Sequence, residues 1–159
     1  MSRLTDITKG FVGGFLGIWG LGMLSSFVHH PLLMAPYGAT CVLLFAVPHS
    51  PLSRPKNVFG GHCLSAAIGL FILFLFGSSL LSMAIGVGLA IALMQMFKVV
   101  HPPAGATPLV IIMAGNTHID FLLFPVLSGC LFLVALASLL NLMYVKWQNT
   151  TCSTETIIK

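Results

Sequence analysis

Apolar residues run in long blocks along this chain, and polar residues gather in short clusters between them. The first block is Phe11–Val28, rich in glycine. A shorter one follows at Pro36–Val47, then the polar loop "PHSPLSRPKNVFGG". From His62 to Phe97 no residue carries a formal charge. One helix over that stretch would be roughly 54 Å long, too long to cross a ~30 Å hydrocarbon core once. The break is expected at Gly77–Ser79, giving spans near 58–77 and 80–97. A short apolar helix at 104–115 and a long span at 121–145 complete the series. Asn57 and Asp120 are candidate N-caps for the spans that follow them. No block alternates apolar with polar positions, so helices are expected rather than a membrane barrel.

Two of the short elements share a motif. "PYGAT" at Pro36–Thr40 and "PAGAT" at Pro103–Thr107 match at four of five positions. Each opens a short apolar helix, follows a Gly-rich span and precedes a long one. The chain therefore reads as two repeats, about 10–78 and 79–146, with a polar tail over 147–159. The expected fold is an all-α polytopic membrane protein, one domain over 1–159, with four long spans and two half-helices. If all six elements cross, the halves are inverted, which is a recurrent transporter plan. Extended leads at 29–35 and 98–103 can span about 23 Å and 20 Å, enough to bring each half-helix start towards the midplane. Proline suits a first helical position, where its missing N–H costs nothing.

Composition sharpens this picture. The chain of 159 residues is 57% hydrophobic and 6% charged, too few charges to cover a water-facing surface. In the six-crossing arrangement Arg3, Lys9, Arg54, Lys56, Lys98, Lys146 and Lys159 all face the cytoplasm, as the positive-inside rule asks. Both termini are then cytoplasmic, and a bacterial inner (plasma) membrane is the expected location. Tyr144 and Trp147 suit the interfacial belt at the end of the last span. Glycines at Gly10, Gly13, Gly14 and Gly17 give small-residue spacing for close helix approach. No basic cluster suggests nucleic acid.

The candidate chemistry follows from the breaks. A helix N-terminus presents N–H groups and partial positive charge, so two facing one point would make an anion site. The candidate binding residues are Pro36, Tyr37, Gly38, Ala39 and Thr40, and His101, Pro102, Pro103, Ala104, Gly105, Ala106 and Thr107. Asn57, Gly61 and His62 are candidate pathway residues. No proposed span contains Asp or Glu, so a cation has no carboxylate partner there. His101 has two readings. It satisfies carbonyls beside the prolines, or it bonds the anion, gates, or carries a proton. His29 and His30 are expected at the outer interface. No carboxylate pair, metal-ligand set or activated nucleophile appears, so neither an enzyme nor a bound metal or cofactor is expected.

"PYGATCVLLFAVPHSPLSRPKNVFGGH" followed by "HPPAGAT" resembles the HPP family of integral membrane proteins, over roughly 11–145. Arg54 departs from the family's more frequent Gln. The resemblance implies His101, Pro102, Pro103, Gly105, Ala106 and Thr107 as the signature. It implies Pro36, Gly38, Ala39 and Thr40 as the first-half motif, and Asn57, Gly60, Gly61 and His62 as the loop motif. Chloroplast and cyanobacterial members are implicated in nitrite transport, so the resemblance implies a small inorganic anion as solute. A neutral-solute pore and a non-transporting scaffold are the alternatives. The lipid bilayer is the expected partner, and the small-residue faces allow a homo-oligomer.

Overall fold

The computed structural model describes residues 3–115 and 118–157, with side chains over 4–115 and 118–146. The described residues form helices and connecting turns, with no strand among them. The elements are α1 (Arg3–Val28), α2 (Pro36–Cys41), α3 (Pro55–Phe76), α4 (Leu80–Met96), α5 (Thr107–Ala114) and α6 (Ser128–Ile157). A π-helical turn, Val42–Ala46, extends α2 into a first half-helix of Pro36–Ala46. A 3-10 turn, Pro102–Ala106, leads into α5 and makes a second half-helix, Pro102–Ala114.

Three helices are long and apolar enough to cross a membrane: Leu4–Val28, Pro55–Phe76 and Ile119–Lys146. The fourth expected span, α4, has 17 residues. At about 1.5 Å per residue it stands at the short limit for a crossing. The expected break is present: Gly77 ends α3 at φ +67, and Ser79 caps α4 through its side chain, 3.1 Å from the Ser82 N–H. Glycine suits the first position because a Cβ would be strained at positive φ.

Two capping expectations need correction. Asn57 lies inside α3, whose N-cap is Arg54 with Pro55 following. Its Nδ2 instead donates to Val100 O at 2.9 Å and Pro51 O at 3.2 Å. Asp120 sits in a 3-10 turn, Ile119–Leu122, capped by His118 without a side-chain bond. A π-helical turn, Leu123–Leu127, then intervenes before α6. Pro125 supplies no N–H and biases the residue before it towards extended backbone. Phe124 is extended accordingly (φ −125, ψ 110), so Asp120 cannot cap the long helix. At the far end the backbone stays helical to Ile157. The side chain of Trp147 and the whole of Lys159 lie outside the described residues.

The glycines of α1 divide. An added Cβ at Gly13 would strike Phe45, and one at Gly17 would lie 3.0 Å from Cys41 Sγ and 3.1 Å from Leu133. Gly10 and Gly14 face open space, so the close-approach stripe is Gly13, Gly17 and Gly20, the last against Phe132. The first half-helix therefore beds between α1 and α6. The second beds between α3 and α4, where Pro108 Cα would be 3.0 Å from a Cβ on Gly69 and Ile112 Cδ1 3.0 Å from one on Gly86. Lys9 Nζ stands 3.2 Å over the Tyr144 ring, a cation–π contact joining α1 to α6.

The two half-helices bury the same face. Pro36, Tyr37, Thr40, Cys41, Leu44 and Phe45 are buried in the first; Pro103, Ala104, Thr107, Pro108, Ile111 and Ile112 are buried in the second. Each buried residue lies 67 positions from its counterpart, the offset of the two motifs. The helix before each half-helix also ends on a left-handed residue, His29 (φ 56) and Lys98 (φ 54), from which the extended lead departs. In the first lead, Ser25 Oγ donates to His30 O at 2.7 Å and accepts from Leu32 N–H at 3.1 Å. His30 stacks on Phe124, with ring centroids 4.8 Å apart.

Candidate functional site

The polar side chains of both motifs meet in one buried cluster. Thr40 Oγ1 lies 3.0 Å from His62 Nε2 and 3.1 Å from His101 Nε2. His62 Nδ1 lies 3.0 Å from Thr107 Oγ1. His101 Nδ1 lies 2.9 Å from Leu52 O. All four side chains have zero solvent exposure. The two imidazoles are edge-to-face, with centroids 5.1 Å apart.

The sequence around His62 explains how the rings come so close. In "GGH", a Cβ on Gly60 would lie 2.8 Å from Val99 Cγ1, and one on Gly61 would lie 2.7 Å from His101 Cβ. The two glycines let the lead of the second half-helix lie directly on α3. Asn57 then holds that lead through Val100 O, one turn earlier on the same helix. The loop after the first half-helix closes the other side. Ser53 Oγ donates to Leu43 O or Val47 O, at 2.9 and 3.0 Å, and the neighbouring Leu52 carbonyl faces His101.

These bonds fix the proton positions. Leu52 O can only accept, so His101 Nδ1 carries a hydrogen. In the neutral ring Nε2 is then an acceptor, and the Thr40 hydroxyl donates to it. With its one hydrogen committed, Thr40 Oγ1 accepts from His62 Nε2–H. His62 Nδ1 in turn accepts from the Thr107 hydroxyl. A single carbonyl thus sets the direction of the whole chain, Thr107 to His62 to Thr40 to His101 to Leu52. Among the described residues no buried side-chain nitrogen or oxygen lacks a partner. No carboxylate takes part: the described Asp6 and Asp120 make no hydrogen bond to the cluster.

The candidate residues separate into two sets. Thr40, Thr107, His101 and His62 converge. Tyr37 is buried but turned away: its hydroxyl reaches Pro125 O at 2.8 Å and Val126 O at 2.9 Å, anchoring the first half-helix to the segment before α6. Its ring meets His62 edge-on at 5.4 Å. Pro36, Pro103 and Ala104 are buried packing positions, whereas Gly38, Ala39 and Pro102 are exposed and Gly105 and Ala106 half-buried. A Cβ on Gly38 or Gly105 would meet nothing within 4 Å. Several first-turn N–H groups are already used. Tyr37 and Gly38 donate to Met34 O and Ala35 O, and Ala104 donates to His101 O. The hydroxyl and imidazole donors of the cluster are committed to one another as well, so a ligand there would have to displace one of those bonds.

One feature of the site has no motif to announce it. The Leu52 carbonyl is a backbone group in a loop, so no residue type marks it. His62 is among the candidate pathway residues and in the loop motif that the resemblance implies, but its central place between the two threonines comes from the structure. Among the described residues there is no group of three or more His, Cys, Asp or Glu fit to hold a metal ion.

The comparisons with known proteins point to a transmembrane family. A family model described as "HPP, transmembrane region" matches residues 1–149. One transmembrane protein of Dictyostelium discoideum is 35% identical over 117 residues, covering 69% of this chain and 41% of that relative. A second from the same organism is 32% identical over 149 residues, covering 87% of this chain and 48% of the relative. The chain thus spans about half the length, or less, of these curated relatives. No solved structure matches it. On the extent of the family match, and with His-Pro-Pro at the start of the second half-helix, this chain belongs to the HPP family of transmembrane proteins.

Proposed function

We propose that this protein is a membrane transporter or channel for a small monovalent anion of the nitrite type, bound where the two half-helix starts meet near the bilayer midplane. One observation carries the proposal. Thr40 and Thr107, the last residues of the two matching motifs, bond the same buried imidazole, with His101 beside it. A buried polar cluster costs stability unless every member is satisfied, which favours a role beyond packing. Its movable hydrogens are hydroxyl and ring N–H donors, which suit an oxyanion. The absence of a carboxylate from the cluster removes the usual partner of a cation.

The surrounding charge supports the same solute class. Arg54 at the start of α3, Lys56 two residues on, and Lys98 after α4 are exposed. The short turn at 77–79 joins the other ends of those helices, so all three cations lie at one end of the pair. They raise local anion concentration there. In this reading the halves are inverted, that end is cytoplasmic, and both termini are cytoplasmic. Flux requires the cluster to open, and the uncrowded backbone at Gly38 and Gly105 gives the solute a side to approach from.

Purified full chain in liposomes, assayed for uptake of nitrite, nitrate, chloride and a neutral solute, tests the proposal. Nitrite flux is expected, with a loss of at least tenfold in His62→Ala. No flux of any solute would sink the transport reading, and flux of the neutral solute alone would make the protein a neutral-solute pore. Single-cysteine labelling tests the orientation: reaction of Lys56→Cys from the outer face would overturn the six-crossing inverted plan.

A further inference from the structure

We infer that Thr40, His62 and His101 form a binding site for one proton, which the cluster takes up together with the anion. The inference rests on the anion reading above for its coupling, but its proton count and ring states stand on the cluster's own geometry.

The chain of bonds described above is complete for two neutral rings. It is also complete after one proton is added, because Thr40 has a second acceptor. Pro36 O, one turn back on the same half-helix, lies 3.2 Å from Thr40 Oγ1. If His101 Nε2 gains a hydrogen, it donates to Thr40 Oγ1, which also receives His62 Nε2–H on its other lone pair. The Thr40 hydroxyl then turns to Pro36 O. His101 Nδ1 keeps Leu52 O, and Thr107 keeps His62 Nδ1. One hydroxyl rotates, no heavy atom moves, and every donor and acceptor remains paired. Proline at the first helical position contributes here through its carbonyl.

A second proton has no such place. It would have to enter at His62 Nδ1, and Thr107 would have to accept it and send its own hydrogen elsewhere. Among the described residues Thr107 makes a single side-chain bond, to that ring. Two cationic rings with centroids 5.1 Å apart would also repel each other away from water. The two threonines, identical in the motif, therefore differ: Thr40 has a spare acceptor and Thr107 does not.

Among the described residues the other groups around the cluster offer no charge to balance a cation. Tyr37 on α2 faces His62 edge-on and gives its hydroxyl to the backbone before α6. Cys41 on α2, Cys63 on α3 and Cys130 on α6 are free thiols. Arg54 and Lys56 on α3 and Lys98 after α4 are exposed and positive. An unpaired cation in such surroundings is expensive, so the proton and a monovalent anion each make the other's binding cheaper. Net movement of the pair is electroneutral.

The test is ¹⁵N-histidine NMR of the purified full chain in nanodiscs, with and without nitrite, the two rings assigned by His62→Gln and His101→Gln. The expected result without nitrite is opposite tautomers, Nε2–H on His62 and Nδ1–H on His101. With bound nitrite, one ring becomes doubly protonated and the other stays neutral. Thr40→Ser keeps that pattern; Thr40→Val, checked for folding by size exclusion, uncouples the rings. The same tautomer in both rings, two doubly protonated rings, or bound nitrite with both rings neutral would overturn the proposal. If nitrite changes nothing, the anion reading falls, and acid titration still decides the proton site. One proton shared by the pair keeps it; two independent titrations end it. In liposomes, nitrite flux that responds to a valinomycin-imposed potential overturns the coupling while leaving transport intact.

Discussion

The two half-helices carry nearly the same motif, bury the same face, and are held in different ways. In the first, bulk sits on the half-helix: Tyr37 projects onto the long helix α6, which answers with Gly129. In the second, the half-helix has Ala104 at the matching position, and bulk sits on the long helix α3 as His62. His62 and Gly129 are themselves 67 residues apart, the same offset as Tyr37 and Ala104. One half uses the space for an anchor, the other for an imidazole. Two elements with nearly one motif can thus keep their packing while only one of them faces an imidazole at this position, by exchanging which partner is large.

The sharpest way to break this comparison is to fill the two glycine notches. A Cβ at Gly129 strikes the Tyr37 ring, and one at Gly61 lies 2.7 Å from His101 Cβ. Overpacking of this kind costs about 1–3 kcal/mol. Both Gly129→Ala and Gly61→Ala should lower the thermal midpoint in detergent, and Tyr37→Ala should relieve only the first. Relief of Gly61→Ala by His101→Ala would show that the contact is not set by Cβ, since alanine retains it.

The threonines come next. Thr40→Val leaves Nε2 of both rings without a partner, whereas Thr107→Val leaves only Nδ1 of His62. Losing one partner of a buried group costs about 1–3 kcal/mol, so Thr40→Val should be the more damaging by roughly twofold in thermal denaturation. Equal costs would remove Thr40 from the centre of the cluster. Tyr37→Phe has a smaller expected effect, about 1 kcal/mol, because the Ser128 N–H also reaches Pro125 O. Its relative uptake of nitrite and chloride should be unchanged; altered selectivity would put Tyr37 in the binding site. The smallest effect is expected at the open glycines. Gly38→Ala and Gly105→Ala should each change stability by no more than about 0.5 kcal/mol, in the range of ordinary surface substitutions. A larger loss in either would reveal a neighbour packed on that face.

Much of the fold was legible because it follows from local rules. The break at Gly77–Ser79 was readable from a glycine and a serine, since these residues end and start helices by their own chemistry. The half-helix starts were readable from their prolines. Asp120 and Asn57 show where the reading ran out. A span over 121–145 with Asp120 as its cap runs through Pro125, yet that proline holds α6 back to Ser128. Asn57 had the residue type and place of a cap, but its amide reaches Val100, 43 residues away. A side chain that can serve a local or a distant partner does not disclose which one it finds.

The site divides along the same line. The sequence by itself determined that this chain is built of apolar helices, that two of them are short and begin on matching Pro-x-Gly-Ala-Thr motifs, and that no acidic residue lies between Asp6 and Asp120. Each follows from composition and backbone chemistry, which need no partner. Only the tertiary structure decided that Thr40, His62, His101 and Thr107 share one buried chain of hydrogen bonds, with Tyr37 set apart as an anchor. That outcome depends on which helices approach closely, through Gly60, Gly61 and Gly129. It also depends on one loop carbonyl, Leu52 O, whose place is set by the loop's path between half-helix and span.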